Sequence, residues 1–236
     1  MKLSEILPTQ KNFKLLQTGE PGSGKSVRAC SAIRFGRVLV IDTDRKFIGL
    51  VPRLREKFGE ALVNERIEVE VVNNAAEFKT LMEKLPELAK GFQTVVLDTQ
   101  SRAFDMVLDN ARALNPKLDG RAIFGIALSV NMEYLNRLLG LPQNVIINAH
   151  VGSEEMADGT SKLTSTTPGK FGKKMTEFFN EVHYLFISPP RKHSVQGEPS
   201  ATVVARTVLP KTLINDLTGT FKIDDLSIFD AIALKV

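Results

Sequence analysis

Only one cysteine, Cys30, occurs in the 236 residues of this chain. An internal disulfide and any zinc cluster built on cysteine ligands are therefore excluded. Cys30 falls on the helix expected just after residue 26, where a small buried apolar role suits it better than reactive chemistry. Long apolar runs are missing too. The longest, such as Val145–Ile147 and Thr94–Leu97, fall far short of the roughly 20 residues needed to cross a bilayer, so no membrane partner is expected. The opening residues, MKLSEILPTQKN, lack the apolar centre of a secretory leader, and a cytoplasmic location is expected. There is no repeat, heptad array or low-complexity tract. Charge of one sign barely exceeds the other: the net charge is +4, with a pI near 9.1. That mild excess agrees with a polyanionic partner without demanding one, because clustering decides such binding.

What is present is ordinary in amount: 43% apolar and 25% charged residues, the composition of a soluble globular protein with one sizeable core. Strand and helix patterns alternate, which predicts an α/β fold with a mostly parallel sheet flanked by helices. Expected strands are Phe13–Thr18, Arg37–Asp42, Thr94–Thr99 and Asn144–His150, together with the more exposed Ile67–Val72. The near-continuous apolar runs among them suit strands buried on both faces. Helices are expected over Ser26–Phe35, Ala75–Leu88 (ended or kinked by Pro86), Ser101–Leu114, and a long stretch from Ile123 to Leu138. Asn115–Arg121 reads as a turn-rich loop, and Val151–Gly172 as an aperiodic one. Val182–Ser188 and Ala201–Val208 read as an antiparallel pair, and Asp225–Val236 as a short closing helix. One domain is expected over residues 13–236, preceded by a segment, 1–12, that could contact another subunit.

Gly19–Ser26, GEPGSGKS, fits the phosphate-binding pattern G-x-x-x-x-G-K-[ST] between an apolar strand and a helix. Gly19, Gly22 and Gly24 let the backbone wrap an anion, joined by Glu20, Pro21, Ser23 and the following Val27. Lys25 can reach the β- and γ-phosphates of ATP, and Ser26 can hold Mg2+. Asp98 ends a buried strand at the sheet edge where α/β folds bind ligands. A metal role is expected for it beside Ser26, though an Asp there also suits a helix cap. Asp42 and Asp44 end another strand, and Asp44 is the better candidate for orienting or deprotonating water. His150, at the tip of NVIINA, is placed to sense the γ-phosphate. His183 and His193 receive no role. In the Val151–Gly172 loop and just beyond it, Lys162, Lys170, Lys173 and Lys174 could meet nucleic-acid phosphates, and Phe171 could stack on a base. Glu154, Glu155 and Asp158 dilute that charge.

GEPGSGKS, VLVIDTD, VVLDT and VIINAH, followed by a long Gly/Ser/Thr/Lys loop, together resemble a RecA-type core. The chain most resembles the short phage members that act as ATP-dependent single-strand-annealing proteins. The resemblance covers about Lys14 to Val208. It implies a catalytic carboxylate at Asp44, where the family usually carries glutamate, and a γ-phosphate sensor at His150, often glutamine. It implies DNA contacts from the loop Asn115–Arg121, with Lys117 and Arg121, and from Val151–Gly172. Arg206 lies near the position from which a basic residue reaches a neighbouring subunit's ATP. The implied partners are single-stranded DNA, further copies in a ring or filament, and a single-strand DNA-binding protein. Met1–Asn12 shows no clear polymerisation motif, and the extra DNA-binding domains of longer recombinases are absent.

Other readings stand beside this one, among them a small-molecule kinase, which would usually need an arginine-rich lid that Val151–Gly172 does not supply. An AAA-type motor or helicase loader is a different P-loop enzyme; against it, only 28 residues follow Val208, few for the helical lid such motors carry. A binding module with little turnover is favoured by the short aspartate at position 44.

Overall fold

The computed structural model describes residues 12–155, 161–165, 175–188, 192–196, 205, 214–215 and 220–221. Strand β1 (Lys14–Gly19) leads through the glycine-rich loop into helix α1 (Lys25–Cys30), which tightens into a 3-10 turn over Ser31–Phe35. Strand β2 (Val38–Asp42) is followed by α2 (Val51–Phe58), α3 (Glu60–Arg66) and β3 (Ile67–Val71). Next come α4 (Ala75–Leu88), β4 (Thr94–Asp98), α5 (Gln100–Leu114), α6 (Gly120–Leu139) and β5 (Asn144–Ala149). The hairpin β6 (Val151–Glu155) and β7 (Ser161–Ser165) forms a separate two-stranded sheet. The last described strands are β8 (Glu181–Ser188), β9 (Lys192–Gln196), β10 (Ile214–Asn215) and β11 (Thr220–Phe221).

Across the main sheet the described strands run in the order β10-β11-β9-β8-β1-β5-β4-β2-β3. The strands from β8 to β3 are parallel, and β9, β10 and β11 add antiparallel pairings at one end. The chain is thus a single α/β domain. Because a strand turns successive side chains to opposite faces, each central strand feeds two cores. Leu39, Ile41, Val95, Leu97, Val145 and Ile147 join the cluster under α4, α5 and α6. Val38, Val40, Val96 and Ile146 join the cluster under α1, α2 and α3. All of these side chains have essentially no exposure, which explains why the strands read as continuous apolar runs.

Local signals set the helix ends. Asn74 caps α4 by accepting from the Glu77 N–H at 3.0 Å, and Glu77 reaches back to the Asn73 N–H at 2.9 Å. Pro86 sits in the last turn of α4 without shortening it, and the helix ends at Leu88, two residues later. Thr99, and not Asp98, caps α5 by accepting from the Arg102 N–H. Asp119 caps α6 through the N–H groups of Arg121 and Ala122.

Several expectations need correction. The partner of Val182–Ser188 is Lys192–Gln196, not Ala201–Val208. Lys192–Gln196 has only one apolar residue, Val195, so its sequence shows no strand pattern. Ala201–Val208, apart from Ala205, lies outside the described residues, as does Asp225–Val236. The supposedly aperiodic Val151–Gly172 contains the β6–β7 hairpin; a two-stranded sheet buries little and imposes little pattern. The loop Asn115–Arg121 is shorter than expected, because α6 starts at Gly120. Helices α2 and α3 were not anticipated, since Pro52 and Gly59 break the periodicity between residues 51 and 66.

Phe78 is 1% exposed and meets Tyr134 edge-on, with ring centroids 5.3 Å apart. This contact ties α4 to α6 under the sheet. Phe78→Ala should cost about 3–5 kcal/mol of stability. Urea unfolding followed by circular dichroism should show a lower midpoint with an unchanged slope.

Candidate nucleotide-binding site

Strand β1 delivers the chain to Gly19, where the backbone approaches β8 so closely that a Cβ would sit 2.4 Å from the Leu185 carbonyl oxygen. Gly24 begins α1 with φ 95°, a left-handed conformation that favours glycine. Between them, Glu20 and Pro21 are exposed, Ser23 is buried, and the Ser23 N–H closes the loop on the Glu20 carbonyl at 3.2 Å. Val27 turns inward to the core beneath α1. Lys25 folds back on its own loop, with Nζ donating to the carbonyls of Gly19 at 2.6 Å and Glu20 at 2.9 Å. Burial lowers its pKa to about 8, against the pull of Asp98, Asp44 and Glu20.

Asp98 closes β4 with 7% exposure. Its carboxylate accepts from the Ser26 hydroxyl and from Asn148 Nδ2, the latter at 3.1 Å. Burial pushes its pKa up, and these two hydrogen bonds oppose the shift. Because Thr99 takes the capping role, Asp98 is left to Ser26. That hydroxyl and carboxylate are hard oxygen donors, the type that holds Mg2+ when substrate phosphates complete its shell. Among the described residues no group of three His, Cys, Asp or Glu could hold a metal alone. The donor set therefore fits Mg2+ carried in with a nucleotide rather than a resident ion.

Asp42 and Asp44 part company. Asp42 is 2% exposed and spends both oxygens on the backbone, accepting from the N–H of Asp44 and of Phe47. Asp44 reaches toward His150, with 3.8 Å between Oδ2 and Nε2. The nearby His150 side chain holds the Asp44 carboxyl below its usual range. The His150 N–H is fixed by Ser101 Oγ at 3.0 Å. Lys25, Ser26, Asp44, Asp98 and His150 all line one cleft of about 230 Å3.

Sequence reasoning missed part of that cleft and its support. Lys46, Phe47, Leu50 and Arg53 form another wall, on a stretch without periodicity. Gln17 and Asn148 are completely buried behind Asp98. Their signal was visible as amides inside the apolar runs KLLQTG and NVIINA. His183 and His193 also acquire contacts. His193 Nδ1 donates to the Ser23 carbonyl at 3.2 Å, and His183 lies buried between Arg28 and Glu181.

The expected nucleic-acid contacts fall elsewhere. Lys117 is exposed in the turn between α5 and α6, and Arg121 is exposed in the first turn of α6 rather than in a loop. Gln100 meets Asn131 at 2.7 Å, so α5 and α6 run back to back and that turn forms the tip of their hairpin. The Lys162 backbone belongs to β7, while its side chain lies outside the described residues. Lys170, Phe171, Lys173, Lys174 and Arg206 lie outside them altogether, as do residues 1–11.

With Lys25 half-deprotonated near pH 8, phosphates placed beside it should raise its pKa and draw in a proton. Affinity for Mg-ATP should be full below about pH 8 and fall as the pH rises above it. Titration calorimetry at pH 8.5 in buffers of different ionisation enthalpy should report proton uptake that is absent at pH 6.5.

A family model described as an AAA domain matches residues 11–209. No match is found among the curated proteins. The match runs through every element of the cleft, from β1 to β9. The match supports an AAA-type assignment whatever the length of the segment after Val208. With the glycine-rich loop, the Ser26–Asp98 pair and the parallel sheet in place, the chain belongs to the AAA domain family of P-loop ATPases.

Proposed function

We propose that this protein is a DNA-stimulated ATPase of phage-type homologous recombination, promoting single-strand annealing or strand pairing. The observation that carries the reading is connectivity. His150 stands in the cleft beside Asp44, and the β6–β7 hairpin begins at the very next residue. A change at His150 on nucleotide binding therefore acts at the root of the hairpin. That hairpin and the sequence after it hold Lys162, Lys170, Phe171, Lys173 and Lys174, the residues suited to a nucleic-acid strand.

In this reading Lys25 leaves the Gly19 and Glu20 carbonyls for the β- and γ-phosphates, and the glycine-rich loop wraps them. Ser26 and Asp98 hold Mg2+, which supplies charge neutralisation at the phosphates. Asp44 is a weak proton acceptor because its carboxyl is held ionised. Its role is to orient the attacking water, with His150 fixing its carboxylate. Arg206 reaches a neighbouring copy's nucleotide in a ring or filament, and a single-strand DNA-binding protein shares the same strand.

Two alternatives have support. The AAA match favours a motor or helicase loader. The depressed basicity of Asp44 favours a nucleotide-holding module with little turnover. One assay separates all three. ATP hydrolysis should rise several-fold with single-stranded DNA and vanish in Lys25→Ala, with light scattering reporting assembly size. An unchanged rate at saturating DNA counts against recombination, and tight ATP binding without hydrolysis identifies the module. Replacing Lys170, Lys173 and Lys174 together with alanine should weaken DNA binding and flatten the slope of log K against log salt by about two. Full affinity at every salt concentration would take these lysines out of the DNA site.

A further inference from the structure

Asp98, Asn148, Gln17 and His183 stand directly opposite one another on four adjacent strands, β4, β5, β1 and β8. They share the face covered by α1, and the three beyond Asp98 have no exposure. A polar row across the middle of a buried sheet is costly unless each group is satisfied. Here it is satisfied in sequence. Arg28, on α1 and 2% exposed, donates from Nη1 to Gln17 Oε1 at 2.6 Å. Gln17 Nε2 donates to Asn148 Oδ1 at 2.8 Å, and Asn148 Nδ2 donates to Asp98 Oδ1 at 3.1 Å.

The direction of this chain is fixed at its source. A guanidinium has donors only, so Gln17 must turn its oxygen toward Arg28. The Lys25 carbonyl, an acceptor only, lies 3.3 Å from Gln17 Nε2 and enforces the same choice. Gln17 then presents a donor to Asn148, which must answer with oxygen and so present its own N–H to Asp98. A second arm leaves Arg28 in the other direction. Nη2 meets His183 Nδ1 at 2.9 Å, which leaves Nε2–H of His183 to donate to Glu181 at 2.8 Å. Both arms run from the guanidinium to a carboxylate.

We propose that Arg28 and Gln17 are positioning residues for the metal carboxylate: acting through Asn148, they aim the Asp98 lone pairs at Ser26 and the cation. This rests on the reading of Ser26 and Asp98 as the Mg2+ site. Gln17 touches neither nucleotide nor metal. It matters because of which of its ends faces Asn148.

Gln17→Glu tests the polarity with almost no change of shape. The introduced carboxylate keeps its bond to Arg28, which holds it ionised, but it has no donor for Asn148. Asn148 is then free to turn its oxygen toward Asp98. Mn2+ serves as the probe, its binding to the ADP complex read by electron paramagnetic resonance. Gln17→Glu should weaken Mn2+ at least tenfold, with a melting temperature and metal-free ADP affinity close to the parent's. His183→Gln, on the other arm, should leave Mn2+ affinity within about twofold. Unchanged Mn2+ affinity in a folded Gln17→Glu protein overturns the proposal, as does an equal loss in both variants. Failure of the parent protein to bind Mn2+ with ADP removes the nucleotide-site reading itself. If Gln17→Glu does not fold, NMR of the parent decides. Adding Mg2+ to the ADP complex should shift the side-chain amide signals of Asn148 and, less, of Gln17, and two stationary signals overturn the proposal.

Discussion

Withdrawing a carboxylate from water at the end of a central strand is costly, and the surroundings of Asp98 are arranged to offset that cost. Its neighbours on the same row are the buried amides Asn148 and Gln17, on strands whose preceding buried positions, Val145, Ile146, Ile147, Leu15 and Leu16, are apolar. The first turn of α1 supplies Ser26 from above. Capping of α5 passes to the next residue, Thr99, so that Asp98 does not spend its oxygens on a helix terminus. The glycine-rich loop can sit directly over this carboxylate only because Gly19 lets β1 run tight against Leu185. Sheet order, helix capping and loop composition all serve one buried negative charge.

Three aspartates end neighbouring strands or turns here, and their surroundings give them different chemistry. Asp42 is consumed by two backbone N–H groups and shapes the turn after β2. Asp44, two residues on, is drawn down by His150 and stays an anion at the mouth of the cleft. Asp98 is pushed the other way by burial, which leaves it receptive to a cation. Lys25 completes the set from the opposite sign. Its burial weakens its hold on a proton, and its present partners are neutral carbonyls that phosphate oxygens would outcompete.

The sequence was most legible where one physical requirement dominates. Strands buried on both faces must be continuously apolar, and β2, β4 and β5 were readable for that reason. The phosphate loop was readable because few sequences meet its demands on glycine and lysine together. The amides behind Asp98 interrupt those apolar runs, but their meaning depends on a register between strands that are far apart in the chain. Gln17 and Asn148 are 131 positions apart. The wall from Lys46 to Arg53 left no periodic trace because it buries no regular face, and the hairpin after His150 is a two-stranded sheet, which imposes little pattern. The strand β9 was misplaced for a related reason: it adds to an already formed sheet through backbone hydrogen bonds, which any side chains permit.

The far strand, β3, has a bearing on how copies of this molecule could meet. It lies at the outer end of the described sheet, beyond β2, and among the described residues no strand pairs with its far edge. Its alternate side chains, Glu68 and Glu70, point to one face, and among the described residues Arg37 pairs with Glu68 alone. Two molecules joined along this border would crowd four glutamates onto a single surface, a repulsion that discourages such continuation. A sheet continued from one copy to another along β3 is thereby disfavoured.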